Sequence, residues 1–341
     1  MSKDDNRPLY RLEDLAELAN VSISTVSRAL NDSPLISPRT KKKIMGLAQT
    51  NNYEGRLKEK VHCEEAYKTI SLIIPPPQGR DTRLSDPFIL DLIGGIGDAL
   101  KERGCDLLMS HLTLSDYQSA ANLISSGRCD GMIILGQSTM HERLNKMAQQ
   151  NLPFVTWGAQ LPGQLYCSVG SDNKRGGRRA TNHLIRMGRK RVVFLGDTES
   201  PEVSLRLTGY REALEMNSID YDPQLICPAH FNPESGVEAM EALAEQGIKF
   251  DGIVAASDMI AIGAMRGLIN AGLTVPDDVS VMGYDDVFVS AYTSPALSTI
   301  RQDVSKAGRL LVSKLLRMLD GETVQSSNLP TDLIIRESCG S

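Results

Sequence analysis

The sequence predicts two structural classes in one chain. A small all-α helix-turn-helix unit comes first, and a larger α/β core of two doubly wound parallel sheets follows as two lobes. Three observations carry this. Two short amphipathic helical patterns meet at a polar turn within residues 12–31. Positive charge gathers in the same part of an acidic chain. From Thr69 onward, apolar strand-like runs alternate with amphipathic helical stretches, the pattern of βαβ units.

Leu12, Leu15, Ala16 and Ala19 form one helical face at the 3.6-residue period. The pattern breaks at Asn20, a residue type that tolerates the left-handed backbone of a sharp turn. Ser22 is placed to cap a second helix, whose Val26, Ala29 and Leu30 face the first. The opposite face carries Ile23, Ser24, Ser27, Arg28 and Asn31. Small polar groups allow close approach to a DNA major groove, Arg grips guanine, and Ile meets a thymine methyl. From periodicity alone, a helical hairpin with a solvated polar face reads equally well. Charge favours DNA. Residues 20–60 hold eight Lys/Arg against three acids, a net +5 in a chain whose total is −5. A basic region on an acidic protein predicts phosphate contact at that end.

A third helix is expected from Pro38, with Ser37 as its cap and Ile44, Leu47 and Ala48 as its buried face. Lys41, Lys42 and Lys43 read as solvated, some near phosphates. Tyr53 reads both as a phosphate donor and as part of the small core. In the larger part, strands are expected at 70–74, 106–110, 131–135 and 154–157, then at 191–195, 224–227, 252–255 and 279–282. Helices are expected near 87–103, 115–126, 139–150, 202–217, 234–246, 257–271 and 303–319.

Composition excludes several function classes. At 341 residues, two or three domains are expected, and 41% apolar with 23% charged residues is ordinary for a globular chain. No apolar run reaches membrane-spanning length and the first residues, MSKDDNRPLY, are polar, so a cytoplasmic location without membrane partners is expected. The six Cys and five His show no ligand spacing, so reduced thiols, no metal and no cofactor are expected. There is no G-x-S-x-G or Walker A motif, and an enzyme is not expected.

At residues 12–31 the run L-E-D-L-A-E-L-A-x-V-S-x-S-T-V-S-R-A-L-N resembles the DNA-binding headpiece of the LacI/GalR family of bacterial transcription regulators. Residues 37–53, S-P-R-T-K-K-K-I-x-x-L-A-x-x-x-x-Y, resemble that family's third helix. The resemblance implies a headpiece at 1–53, a linker at 54–68 and a periplasmic-binding-protein-like core at 69–341 for effector binding and dimerisation. It implies lobe 1 at about 69–160 and 302–320, and lobe 2 at about 172–285 and 321–338. Chain crossings are expected near 158–173, 284–302 and Asp320-Gly321. The linker lacks the family's P-N-x-x-A-R-x-L segment; only Arg56 and Leu57 stand near the expected place, which puts a minor-groove hinge helix in doubt. The DNA-contacting set read here is Ser22, Ile23, Ser24, Thr25, Ser27, Arg28, Asn31, Tyr53 and Arg56.

Ligands of such sheets bind outside the carboxyl ends of the strands. Asp86 and Phe88 sit in an Asp-Pro-Phe start at the family's place; Asp86 reads as a hydroxyl acceptor or a helix cap. Gln137 follows the third strand, and Trp157, the only Trp, ends the fourth; platform and core roles both remain open for it. Asp172 lies in S-D-N-x-x-G-G-x-x-A-T-x-H-L, similar to the family's lobe-linking motif. Arg206, in R-L-x-G-Y, and Asp285, in G-Y-D-D, are the strongest effector candidates. Phe231 falls where relatives place an aromatic, and Ser257-Asp258 resembles the family's cleft-capping pair. The resemblance thus implies a homodimeric, allosteric regulator, usually a repressor, that binds a palindromic operator and responds to a small effector, expected to be a sugar. The competing reading is a cytoplasmic sugar-binding protein or an enzyme on the same bilobed fold. No heptad helix follows residue 338, so a dimer rather than a tetramer is expected.

Overall fold

The computed structural model describes residues 12–30, 33, 35–50, 67–75, 85–110, 117–137 and 140–340. They fall into two separate compact units that divide at Ala66 and Tyr67. In the first, α1 (Leu12–Ala19), α2 (Ile23–Leu30) and α3 (Pro38–Thr50) enclose Leu15, Ala16, Ala19, Val26, Ala29, Ile44 and Ala48. Asn20 takes φ +52°, the left-handed turn that its short polar side chain tolerates. Both inter-helix turns use the same cap. Ser22 Oγ accepts the Thr25 amide at 3.2 Å, and Ser37 Oγ accepts the Thr40 amide at 3.2 Å. Lys43 departs from the solvated role expected of it: its Nζ donates to the Ala19 carbonyl at 2.9 Å and closes the end of α1.

The second unit is two α/β lobes. Lobe 1 has a six-stranded parallel sheet in the order β11-β5-β4-β3-β1-β2. Its strands are β1 (Thr69–Ile73), β2 (Asp106–Ser110), β3 (Gly131–Leu135), β4 (Phe154–Trp157), β5 (Cys167–Ser171) and β11 (Ser327–Leu329). One face packs on α4 (Pro87–Lys101) and α11 (Val304–Leu319) through Ile70, Leu72, Leu92, Ile96, Leu311 and Leu315. The other packs on α5 (Tyr117–Ser125) and α6 (His141–Gln149) through Ile73, Ile134, Leu123 and Leu144. Lobe 2 has a four-stranded parallel sheet in the order β7-β6-β8-β9. Those strands are β6 (Val192–Leu195), β7 (Ile226–Cys227), β8 (Gly252–Ala255) and β9 (Ser280–Met282). They are flanked by α7 (Asn173–Arg186), α8 (Pro201–Met216), α9 (Pro233–Glu245) and α10 (Asp258–Asn270). A small antiparallel pair, β10 (Thr299–Arg301) with β12 (Asp332–Ile334), joins the crossover segments.

Two expected boundaries move. The segment returning to lobe 1 does not leave it at Asp320-Gly321, because β11 pairs with β5 up to Leu329. The first crossover is also shorter than 158–173, because β5 is a strand of lobe 1 that adds to β4. Polar strands such as Cys167–Ser171 give no apolar run; they form because their neighbours supply the ladder. Among the described residues no helix is long and apolar enough to cross a membrane, and no group of three or more His, Cys, Asp or Glu is placed to hold a metal ion.

The close approach of α7 and α8 positions the site. A Cβ on Gly177 would lie 2.1 Å from the Arg206 carbonyl oxygen, and one on Gly176 would lie 2.3 Å from the Tyr284 hydroxyl. The Arg206 backbone cannot yield without separating the helices, and the Tyr284 ring is fixed by its burial and by the Arg206 guanidinium over its face. Gly177→Ala should therefore lower the stability of this unit by about 1–3 kcal/mol in urea unfolding. An unchanged midpoint would show that the helices separate at no cost.

Candidate functional site

Two sites emerge, one in each unit. On α2, Ile23 is 46% exposed, Ser24 and Arg28 are exposed, and Ser27 is half-buried. Val26 and Ala29 point into the core, so the outward face is fixed by the helix period. Ser22 and Thr25 are engaged with one another as the cap, their hydroxyls 2.8 Å apart. Asn31, Tyr53, Arg56 and linker residues 54–66 lie outside the described residues.

In lobe 1, Asp86 caps α4, accepting the Phe88 amide at 2.9 Å; burial pushes its carboxyl up against that bond. Phe88 packs on Trp157 with ring centroids 5.9 Å apart, and both are buried. Gln137 is fully buried. Its Nε2 donates to the Ala159 carbonyl at 2.6 Å and to the Tyr166 hydroxyl at 3.1 Å, while its Oε1 has no protein partner. Burial pushes the Tyr166 phenol up to about 12.

In lobe 2, Asp172 caps α7 through the Arg175 amide at 3.1 Å. Arg206 is 5% exposed and is held on three sides. Its Nε donates to Asn173 Oδ1 at 2.8 Å, its Nη1 donates to the Ala256 carbonyl, and its guanidinium lies 3.7 Å from the centre of the Tyr284 ring. Burial raises the Asp285 carboxyl well above its ordinary value; Arg206 opposes this, and Asp258 and Asp86 add to it. The same interactions place Asp86, Asp258, Asp285 and Arg206 within electrostatic reach of one another. Asp285 Oδ1 accepts from Gln302 Nε2 at 2.7 Å. A cavity of about 350 Å³, a size suited to a small ligand, is lined by Phe88, Asp285 and Gln302 among others.

Asp258 sits differently from the effector role expected of it. Asp258 is completely buried and its carboxylate is filled by protein. Oδ2 accepts from the Val287 amide at 2.9 Å and Ser290 Oγ at 2.6 Å, and Oδ1 accepts from Thr299 Oγ1. It ties the 287–299 crossover segment to α10, and its complete burial keeps both oxygens away from a ligand. Ser257 caps α10 through the Ile260 amide at 3.2 Å. Phe231 is 41% exposed, just before α9.

Four residues of this region escape the sequence reading: Asn173, Glu202, Tyr284 and Gln302. Glu202 sits one helical turn before Arg206 in α8, a spacing that could have flagged it. It is half-buried. Burial raises its carboxyl, while Arg206, its own amide and the Ala159 amide of lobe 1 oppose the rise.

A compact helix-turn-helix unit on the same chain as a bilobed core with a ligand-sized cavity is the plan of a ligand-responsive DNA-binding regulator. Residues 11–55 match the family of bacterial regulatory proteins of the lacI type, and residues 181–339 match a periplasmic binding protein-like domain. The chain is 30% identical to the HTH-type transcriptional regulator CelR of Thermobifida fusca, over 96% of this chain and 97% of that one. It is similar to a solved complex of the transcriptional regulator CelR with cellobiose, at a TM-score of 0.70 and 29% identity, covering 97% of this chain and all of the other. It is also similar to the lac repressor dimer bound to operator and the anti-inducer ONPF, at a TM-score of 0.72 and 25% identity, covering 98% and 99%. The chain belongs to the LacI family of bacterial transcriptional regulators. It is a DNA-binding protein whose relatives regulate transcription.

Asp258 makes a pH prediction. Burial holds its carboxyl at about 6, above the ordinary 3.8. Between those values the native state keeps a proton that the unfolded chain has released, so stability from this group falls as pH rises through the window. Asp258→Asn lacks that titration. Its deficit against the parent chain in urea unfolding should be smaller at about pH 7.5 than at about pH 4.5. A deficit that widens with pH would mean that the carboxylate is the better-held form.

Proposed function

We propose that the protein is a cytoplasmic transcription repressor that binds a palindromic operator as a homodimer and is released or retained by a sugar held between its lobes. The observation that carries the reading is the outward face of α2, where Ile23, Ser24 and Arg28 stand exposed around small polar neighbours. Such a face offers both a guanine fork and a methyl contact to the major groove. Ser22, Thr25, Ser27, Asn31, Tyr53 and Arg56 complete the proposed DNA set.

Dimerisation is supported by exposed apolar surface on lobe 2. Phe288 is 76% and Tyr292 72% exposed, with their rings 4.7 Å apart, and Ile269 is 51% exposed. Apolar residues exposed singly are ordinary, but a contiguous exposed apolar patch marks an interaction surface, and these two rings lie in contact. Sugar binding is supported by the cavity beside Phe88, Asp285 and Gln302, by the guanidinium of Arg206, and by the cellobiose complex of a relative. In this reading Asp86, Phe88, Gln137, Trp157, Asp172, Arg206, Phe231, Ser257 and Asp285 line or shape the effector site. Asp258 acts by holding the crossover. An effector that prefers one arrangement of the lobes shifts the dimer toward the operator affinity of that arrangement, by no more than its differential affinity.

Arg28→Ala should cost about 1–3 kcal/mol of operator affinity in a binding titration, with relaxed discrimination at one base pair. An equal loss on every sequence would reassign Arg28 to phosphate. Absence of any preference for palindromic over random DNA in the parent chain would remove the central reading. The double variant Phe288→Glu, Tyr292→Glu should elute as a monomer in size-exclusion chromatography and lose tight operator binding. Retention as a dimer would move the interface elsewhere. Asp285→Ala should keep operator affinity and lose the response to effector, while an intact response would take Asp285 out of the site.

A further inference from the structure

We propose that the outward face of α7 is a second DNA-contacting surface, which holds the phosphate backbone of a duplex without reading its sequence. It belongs to a different unit of the chain from the recognition face of α2.

Charge carries the inference. Residues 173–191 hold eight Lys/Arg and no acid, in a chain whose total is −5. That run is denser in cations than residues 20–60, where eight Lys/Arg stand among three acids. Nor is positive charge general to lobe 2. Whereas α7 packs on α8, α9 packs on α10, and α9 carries Glu234, Glu238, Glu241 and Glu245 with no Lys or Arg. The lobe is polarised, and a polyanion is drawn to the α7 side.

Pairing within the protein answers only part of this charge. Lys174 and Arg178 share one carboxylate, Glu212, at 2.6 and 3.4 Å, and Arg191 pairs with Asp222 at 3.1 Å. Arg179 and Arg189 donate to the carbonyls of Thr331 and Pro276, which position the guanidinium groups and leave their charge standing. Arg175, Arg186 and Lys190 are exposed, and among the described residues no side-chain hydrogen bond or ion pair engages them. Asp251 lies at the far end, where it accepts the Lys190 and Arg191 amides, so the field is strongest between Arg175 and Arg186.

Geometry decides what the surface fits. At the helical period, Arg175, Arg179 and Arg186 fall within about 40° of one another and span about 16 Å of the axis. The positions between them on that face are Asn182 and His183, both polar. A protein partner needs an apolar centre to its contact, and this stripe offers none; protein–DNA contacts are polar and strongly positive. The guanidinium fork matches phosphate oxygens bidentately, and backbone contacts of this kind carry no sequence information. Duplex is also the polyanion that the chain meets at high effective concentration, because its first unit binds DNA.

The test uses the full-length protein and a labelled duplex of random sequence at low salt. Without any variant, Lys174 and Lys190 at the two ends of the stripe should lose several-fold of their acetylation by an N-hydroxysuccinimide ester when duplex is added, and regain it as salt rises. Lys101 and Lys146, exposed in lobe 1, should keep theirs. Labelling of Lys174 and Lys190 that falls no further than that of Lys101 overturns the proposal. Protection confined to Lys42 of α3 overturns the second surface and leaves the α2 reading in place. In anisotropy titrations, the triple variant Arg175→Glu, Arg186→Glu, Lys190→Glu should bind the duplex about tenfold or more weakly, with a salt slope lower by about 2–3. Lys101→Glu, Lys146→Glu, Lys306→Glu makes the same change in net charge and should keep the parent slope. Equal losses in the two triple variants overturn the proposal. So does labelled poly-L-glutamate that loses binding in the first triple variant while duplex does not, which assigns the stripe to an acidic protein.

Discussion

A guanidinium cannot enter a protein interior unless its charge and its N–H groups are answered there, and the burial of Arg206 is the constraint on which lobe 2 is arranged. Asn173 answers from the start of α7, Ala256 from the end of β8 and the Tyr284 ring from the end of β9. These segments come together only because Gly176 and Gly177 let α7 lie against Tyr284 and against the backbone of α8. The glycines of the lobe-linking motif serve the site through packing. They touch no ligand position, yet they decide where the guanidinium stands.

Asp258 and Asp285 show how one residue type takes two roles a short distance apart. Asp258 is buried and bound by Val287, Ser290 and Thr299, and it works as a staple. Asp285 has one oxygen on Gln302, and its backbone is forced to φ +119°, with Asp286 following at φ +63°. Two successive non-glycine residues at positive φ store roughly 1–3 kcal/mol each and persist only where their surroundings over-determine them. Here the Asp285 amide donates to Ile300 at 2.7 Å, its carbonyl accepts from Gln302 at 3.2 Å, and Asp286 is locked by Arg336. The strain aims the Asp285 carboxyl at the cavity wall.

The first unit was legible almost to the residue because its signals are local. Asn20 makes the turn, Ser22 and Ser37 make the caps, and the apolar period alone selects Val26, Ala29, Ile44 and Ala48 for the core. The central strands of both sheets were legible for the same reason, since β3 and β8 are apolar throughout and wholly buried. Strands β5, β10, β11 and β12 were not. They are either only three residues long or, in β5, built of small and polar residues around one Val, and they exist because a neighbouring backbone offers a ladder, which no window of sequence records. The site divides along the same line. Arg206 and Asp285 were visible in short motifs. Asn173, Tyr284 and Gln302 acquire their roles from partners between 17 and 78 positions away, and Lys43 from one 24 positions away. Asp258 reads from its motif as either a cleft acid or a cap, because a staple and an acceptor look alike until Ser290 and Thr299 are placed beside it.

The crossover connects these facts to regulation. Asp285, Asp286, Arg301 and Gln302 line the cavity, and the same residues carry the chain between the lobes. A ligand that bonds to Asp285 therefore bonds to the segment whose backbone must adjust if the lobes change their arrangement. A ligand shifts a conformational equilibrium only by its difference in affinity for the two states. Contacts made within one rigid sheet are the same in both states and contribute nothing to that difference. Contacts to the strained crossover change with the arrangement. In the proposed regulator the response to effector is therefore concentrated in the few residues that belong to both lobes, and most of the wall serves only to hold the ligand there.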